Sequence, residues 1–70
     1  MTSKKDTVTH STVTKYRYST PETHGHCSYM EALGFAQSRM DVNGAGNVSV
    51  TIYRLEGGRD RWIETLGGVR

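Results

Sequence analysis

Cysteine occurs once in this sequence, at position 27, and that excludes an intrachain disulfide. Domains of this size often borrow stability from disulfides, a metal or a partner subunit. A chain of 70 residues with a single thiol therefore does not fit the secreted disulfide scaffolds, and a cytoplasmic location is expected. Long apolar runs are missing too: no stretch approaches the roughly 20 residues needed to span a bilayer. The N-terminal MTSKKDTVTHST has charge but no apolar segment of the kind that marks a secretory signal. No membrane partner is expected. A surplus of one charge is also weak, since nine Lys and Arg against seven Asp and Glu leave +2. Dedicated nucleic-acid binders carry denser basic patches.

Chemical signatures are equally sparse. The glycine stretches Gly44-Ala45-Gly46-Asn47 and Glu56-Gly57-Gly58 do not stand between a strand and a helix, as a phosphate-cradling loop requires. Glu22, Glu31, Glu56 and Glu64 show no paired spacing that would suit acid–base work. Asn47-Val48-Ser49 matches a glycosylation sequon, but it falls in an expected strand of a chain with no signal segment, and we read it as coincidence. No catalytic residue, cofactor or metal is assigned, and a protein that is not an enzyme is expected.

What the chain does contain is periodicity. Residues 1–11 hold too little apolar surface to offset ordering entropy of about 1–2 kcal/mol per residue, and read as a flexible arm. Residues 12–20 are rich in β-branched and aromatic types. Their alternation places Thr14, Tyr16 and Tyr18 inward, with Val13, Lys15, Arg17 and Ser19 outward. Pro21 ends that strand. Ser28-Tyr29-Met30-Glu31 fits a capping box, in which the Ser28 hydroxyl accepts from the Glu31 amide and the Glu31 carboxylate reaches back to the Ser28 amide. Tyr29, Ala32, Leu33, Ala36 and Met40 then form a helical stripe, with Gly34 a mild defect and Asn43-Gly44 the stop.

Residues 47–55 alternate again, with Val48, Val50 and Ile52 on one face and Ser49, Thr51 and Tyr53 on the other. Residues 56–60 read as a turn and 61–66 as a third strand, leaving 67–70 as a flexible tail. The resulting expectation is an α+β fold: one domain over 12–66, in the order β-α-β-β. The favoured order of its three-stranded sheet is 1-3-2, with direct pairing of strands 1 and 2 left open as the alternative, and the helix on one face acts as a right-handed crossover. Either Trp62 or Ile63 completes the core.

Thr23-His24-Gly25-His26-Cys27-Ser28 is the one stretch with a chemical look. A zinc site needs three or four ligands, usually from two short pairs, and no second pair follows. A reactive thiol needs a base and an orienting group. The reading preferred here makes the stretch a loop leading into the capped helix, with Cys27 just before the cap and no role assigned to His24 or His26.

A single helix covers one face of a sheet, and the other must be polar or meet a partner. The candidate binding surface is therefore Lys15, Arg17, Tyr53, Arg54, Arg59, Arg61 and Trp62. Trp62 is a core anchor if buried and a binding hot spot if exposed. In its length, its Thr-, Gly-, Val- and Arg-heavy composition, and endings such as YRLEGGRDRWIETLGG, the chain resembles small accessory proteins of actinobacterial phages. That resemblance implies a protein that binds and redirects or inhibits a host component. The expected function is a small non-enzymatic binding protein acting on a protein partner, with a homodimer through the open face or an edge strand as its self-paired form. The alternative is a nucleic-acid-binding module using Lys15, Arg17, Arg54, Arg59 and Arg61, a reading that gains if these five gather on one face.

Overall fold

The structure, a computed structural model, describes residues 7–69. It contains four strands and not three. They are β1 (His10–Tyr16), β2 (Glu22–His26), β3 (Val48–Glu56) and β4 (Arg59–Gly67), with one helix, α1 (Tyr29–Asn43), between β2 and β3. The sheet order is β2-β1-β3-β4 and every neighbouring pair is antiparallel. The expected β-α-β-β order and 1-3-2 sheet are thus replaced by β-β-α-β-β. A crossover between parallel strands does exist, but its first strand is β2. β2 and β3 both run antiparallel to β1, which lies between them.

The physical reason for the extra strand lies in how β1 ends. It stops at Tyr16, and residues 17–19 bend back toward Pro21. The chain then returns along β1, pairing Glu22 with Thr14 and His26 with His10. The stretch read as a loop before the helix is therefore the edge strand. Tyr18, expected inward, falls in the bend and is 84 % exposed. At the other end β1 starts at His10, inside the stretch read as an arm, and the Thr9 N–H already donates to His26 O at 2.9 Å. Residues 1–6 of that arm, and Arg70 of the tail, lie outside the described residues.

The helix begins on its cap, with Ser28 Oγ accepting from the Glu31 N–H at 3.1 Å. The return bond comes one residue early: Glu31 Oε1 accepts from the Cys27 N–H at 3.3 Å. α1 stops where Gly44 takes φ +92° and its N–H bonds to Met40 O. Ala32 and Ala36 are the residues it buries fully, because two small side chains let the helix lie close on Val48, Val50 and Ile52 of β3. Tyr16, Met40 and Leu66 close the margin of this core.

β1 contributes Thr12 and Thr14 to the same layer, both fully buried. Thr12 Oγ1 shares a hydrogen bond with His26 Nε2 at 3.0 Å. Thr14 Oγ1 has no partner among the described residues. An unpaired buried hydroxyl costs about 1–3 kcal/mol, whereas valine has nearly the same shape and suits a strand. Thr14→Val is expected to raise the unfolding free energy by about 1 kcal/mol in urea titration; a loss of stability would show that the hydroxyl is satisfied after all.

Candidate functional site

The two faces of the sheet differ in character. On the helix side, aromatic and titratable groups lock together. Phe35 of α1 packs under β2, with ring centroids 4.8 Å from His24 and 5.1 Å from His26, and the Arg39 guanidinium sits 4.7 Å above its ring. Glu22 Oε1 accepts from Tyr16 OH at 2.9 Å and lies 3.4 Å from His24 Nε2. The Tyr16 bond, then His24, hold the Glu22 carboxyl below its usual range. Tyr29 OH donates to Glu64 Oε2, and that bond, followed by burial, raises the Tyr29 phenol.

This arrangement is structural in its chemistry. The Thr12–His26 pair brings a hydroxyl against an imidazole, which is the first requirement of an activated nucleophile. Thr12 is wholly buried, however, so no substrate could reach it. Among the described residues no three His, Cys, Asp or Glu side chains are placed to share a metal ion. Cys27 is exposed, and its backbone is engaged on both sides, by Glu31 Oε1 at the N–H and by Thr9 Oγ1 at the carbonyl. His24 and His26, without a role in the sequence, prove to be the contacts that seat the helix on the edge strand.

His26 also gives the fold a pH dependence. Burial lowers its pKa below 6.5 and the neighbouring His24 adds to this, against a smaller opposing pull from Glu31. The unfolded chain therefore takes up this proton more readily than the folded one. The stability that neutral His26 contributes is full above about pH 6.5 and is lost as the pH falls through the folded value. The melting temperature should drop on acidification from neutral pH toward 5, and His26→Gln should flatten that slope. An unchanged slope in the variant would assign the effect elsewhere.

The other face is not covered by the helix. Register places Ser11, Val13 and Lys15 of β1 on it, with Ser49, Thr51, Tyr53 and Leu55 of β3. What β4 shows there depends on a bulge. Ile52 pairs with Glu64, but Tyr53 pairs with Trp62, so Ile63 is an extra residue in β4. Glu64 and Leu66 consequently share the helix side with Ile52 and Val50, while Trp62 stands with Tyr53 on the open side. Strict alternation would have kept Trp62 with Glu64 and Leu66. Trp62 is 59 % exposed and is not a core anchor.

The seven candidate residues do not gather. Lys15, Tyr53 and Trp62 share the open face. Arg17 extends the β1–β3 register by one pair, its N–H donating to Asn47 O at 2.9 Å, and its guanidinium sits 5.5 Å from the Tyr18 ring centroid. Arg54, Arg59 and Arg61 flank the hairpin turn at the opposite end of the sheet. By register they point to the helix side: the bulge puts Trp62 on the open side, and ordinary alternation then puts Arg61 opposite it. Glu56 takes up two of them, Arg61 at 3.3 Å and Arg54 at 3.7 Å. These exposed pairs have little energetic weight, but they dilute the positive field there. The five cations proposed for nucleic acid are therefore split between two ends of the sheet.

Sequence reasoning placed Thr51 on the open face but did not find its partner Thr65. The Trp62 indole N–H donates to Thr65 Oγ1 at 3.1 Å, and Thr65 Oγ1 is 3.1 Å from Thr51 Oγ1. The cross-strand pairing of two threonines was available only once the strand register was known. Compared with protein-family models, with curated proteins and with solved structures, the chain matches none. No helix among the described residues is long and apolar enough to cross a membrane.

Proposed function

We propose that this chain is a non-enzymatic binding protein that works by surface recognition through the open face of its sheet, with Trp62 as the anchor. The observation that carries this reading is the bulge at Ile63, which places the chain's one tryptophan outside the core and opposite Tyr53. A small domain with little apolar side chain to spare gains little folding energy from an exposed indole, and tryptophan is one of the residue types enriched at binding hot spots. On the resemblance to phage accessory proteins, the partner would be a host macromolecule.

The test compares Trp62→Ala with Met30→Ala, a control that also removes a large exposed side chain (71 %) but from the outer side of the helix. Immobilised wild type and Met30→Ala should retain the same macromolecule from an extract of the source cells, whether protein or nucleic acid, and Trp62→Ala should lose it with its melting curve unchanged. Equal retention by all three would refute the reading.

A further inference from the structure

We propose that the open face takes single-stranded nucleic acid, with bases stacking on Trp62 and Tyr53 and phosphates held by Lys15 and Arg17. This rests on the reading of the open face as the binding surface, and it adds the class of partner.

The first ground is the posture of Trp62. Its ring N–H is tied to Thr65, three residues along the same strand and on the same face, and Thr65 is held in turn by Thr51. The bond fixes the nitrogen edge of the indole on the open face, where Trp62 is 59 % exposed. Tyr53 is its direct cross-strand neighbour. Two aromatic side chains on one open sheet face can each take a base by stacking, and stacking suits any base because every base has a π-face. A duplex offers no such face, since its bases are already stacked.

Charge is the second ground. By register, Glu22, Glu56 and Glu64 lie on the helix side of the sheet, and Glu31 and Asp41 are on the helix. Among the described residues Asp60, beside the hairpin turn, is the one carboxylate that register directs to the open side. Lys15 and the Arg17 position lie on that side at the far end. Lys15 is opposite Ser49, and Tyr53 is four residues further along β3, a separation of about 13 Å at the usual strand rise. An extended strand crossing the sheet obliquely would meet the cations with its phosphates and the aromatic pair with its bases.

Trp62 is the only tryptophan in the chain, so its emission reports directly on the aromatic pair. Titration with short oligodeoxythymidylate or oligouridylate at low salt should quench it saturably, and the matching duplex should bind far more weakly. Two phosphate contacts predict a slope of log affinity against log salt near −1.4, at about −0.7 per phosphate on a single strand. With a labelled oligonucleotide read by anisotropy, Trp62→Ala should weaken binding about 5- to 100-fold and Trp62→Phe much less. Lys15→Gln should weaken it and flatten the salt slope by about 0.7.

If no oligonucleotide binds while Trp62-dependent capture of a protein persists, the nucleic-acid inference is refuted and the surface reading stands. Oligonucleotide binding that ignores Trp62→Ala, or that is as tight for duplex, refutes the stacking inference. Equal capture by wild type and Trp62→Ala overturns both.

Discussion

Gly67→Ala should cost the domain about 3 kcal/mol or more, the sum of a left-handed backbone and a steric overlap. Gly67 has φ +75°, a region that side chains with a Cβ enter at a cost of about 1–3 kcal/mol. A Cβ built there would overlap the backbone oxygen of Val48 and crowd that of Ala45 at 3.3 Å. Neither can give easily. Val48 is fully buried in the core, and the Gly68 N–H is bonded to Ala45 O. At 0.05–0.15 kcal/mol per residue, a chain of this length has a total stability of roughly 4–10 kcal/mol, so one methyl group removes a large part of it. Gly34→Ala is the control. Gly34 lies inside α1 with nothing within 4 Å of the added methyl, and the exchange should raise stability by about 1 kcal/mol. Urea titration of both variants checks the pair; the account fails if the two shifts share a sign.

Gly67 also shows where sequence reasoning stops. It reads as the start of a loose tail, yet it is the last residue of β4, paired with Ser49. The glycine is needed because of what lies opposite, and that is a tertiary fact. β2 was hidden for a different reason. Glutamate and glycine are poor strand formers and the segment has no apolar residue to mark a buried face, and the strand is held by pairing to β1 and by Phe35 beneath its two histidines. Its period-two pattern was nonetheless present, with His24 and His26 on one side and Thr23 and Gly25 on the other.

The position of Trp62 was legible by a route that strand alternation alone does not follow. Gly57 and Gly58 both have positive φ, the requirement of the tight two-residue hairpin turn. Counting outward from such a turn pairs Glu56 with Arg59 and Tyr53 with Trp62, which sends Trp62 to the side away from Ile52. Counting inward from Leu66, which closes the core over Val50, sends Trp62 to the opposite side. The two counts disagree by one residue, and Ile63 absorbs the difference as a bulge. The helix was readable from its cap and stripe because both are local. Strand number and order were not, since they depend on which segments meet.

The core that supports this site is thin, and Ile52→Ala should expose how thin. Among the described residues Ile52 is the largest wholly buried side chain, and the rest of the buried apolar layer is Ala32, Ala36, Val48 and Val50. Truncating such an isoleucine costs about 2–5 kcal/mol, depending on how far the surroundings collapse into the space. Collapse is restricted here, because Thr12 and Glu64 face Ile52 from the neighbouring strands, and polar groups do not fill an apolar void favourably. The upper half of the range, about 3–5 kcal/mol, is therefore expected, against roughly 0.5–1.5 kcal/mol for Ile52→Val. The same change should reach the open face. The bulge opens directly beside the Ile52–Glu64 pair, so loosening that pair loosens the step that turns Trp62 outward. At denaturant concentrations where the fold persists, Ile52→Ala should shift Trp62 emission, whereas Leu55→Ala, an exposed truncation nearer the turn, should leave stability within about 0.5 kcal/mol of wild type. A loss below 2 kcal/mol for Ile52→Ala would mean that the core is held by contacts other than these five side chains.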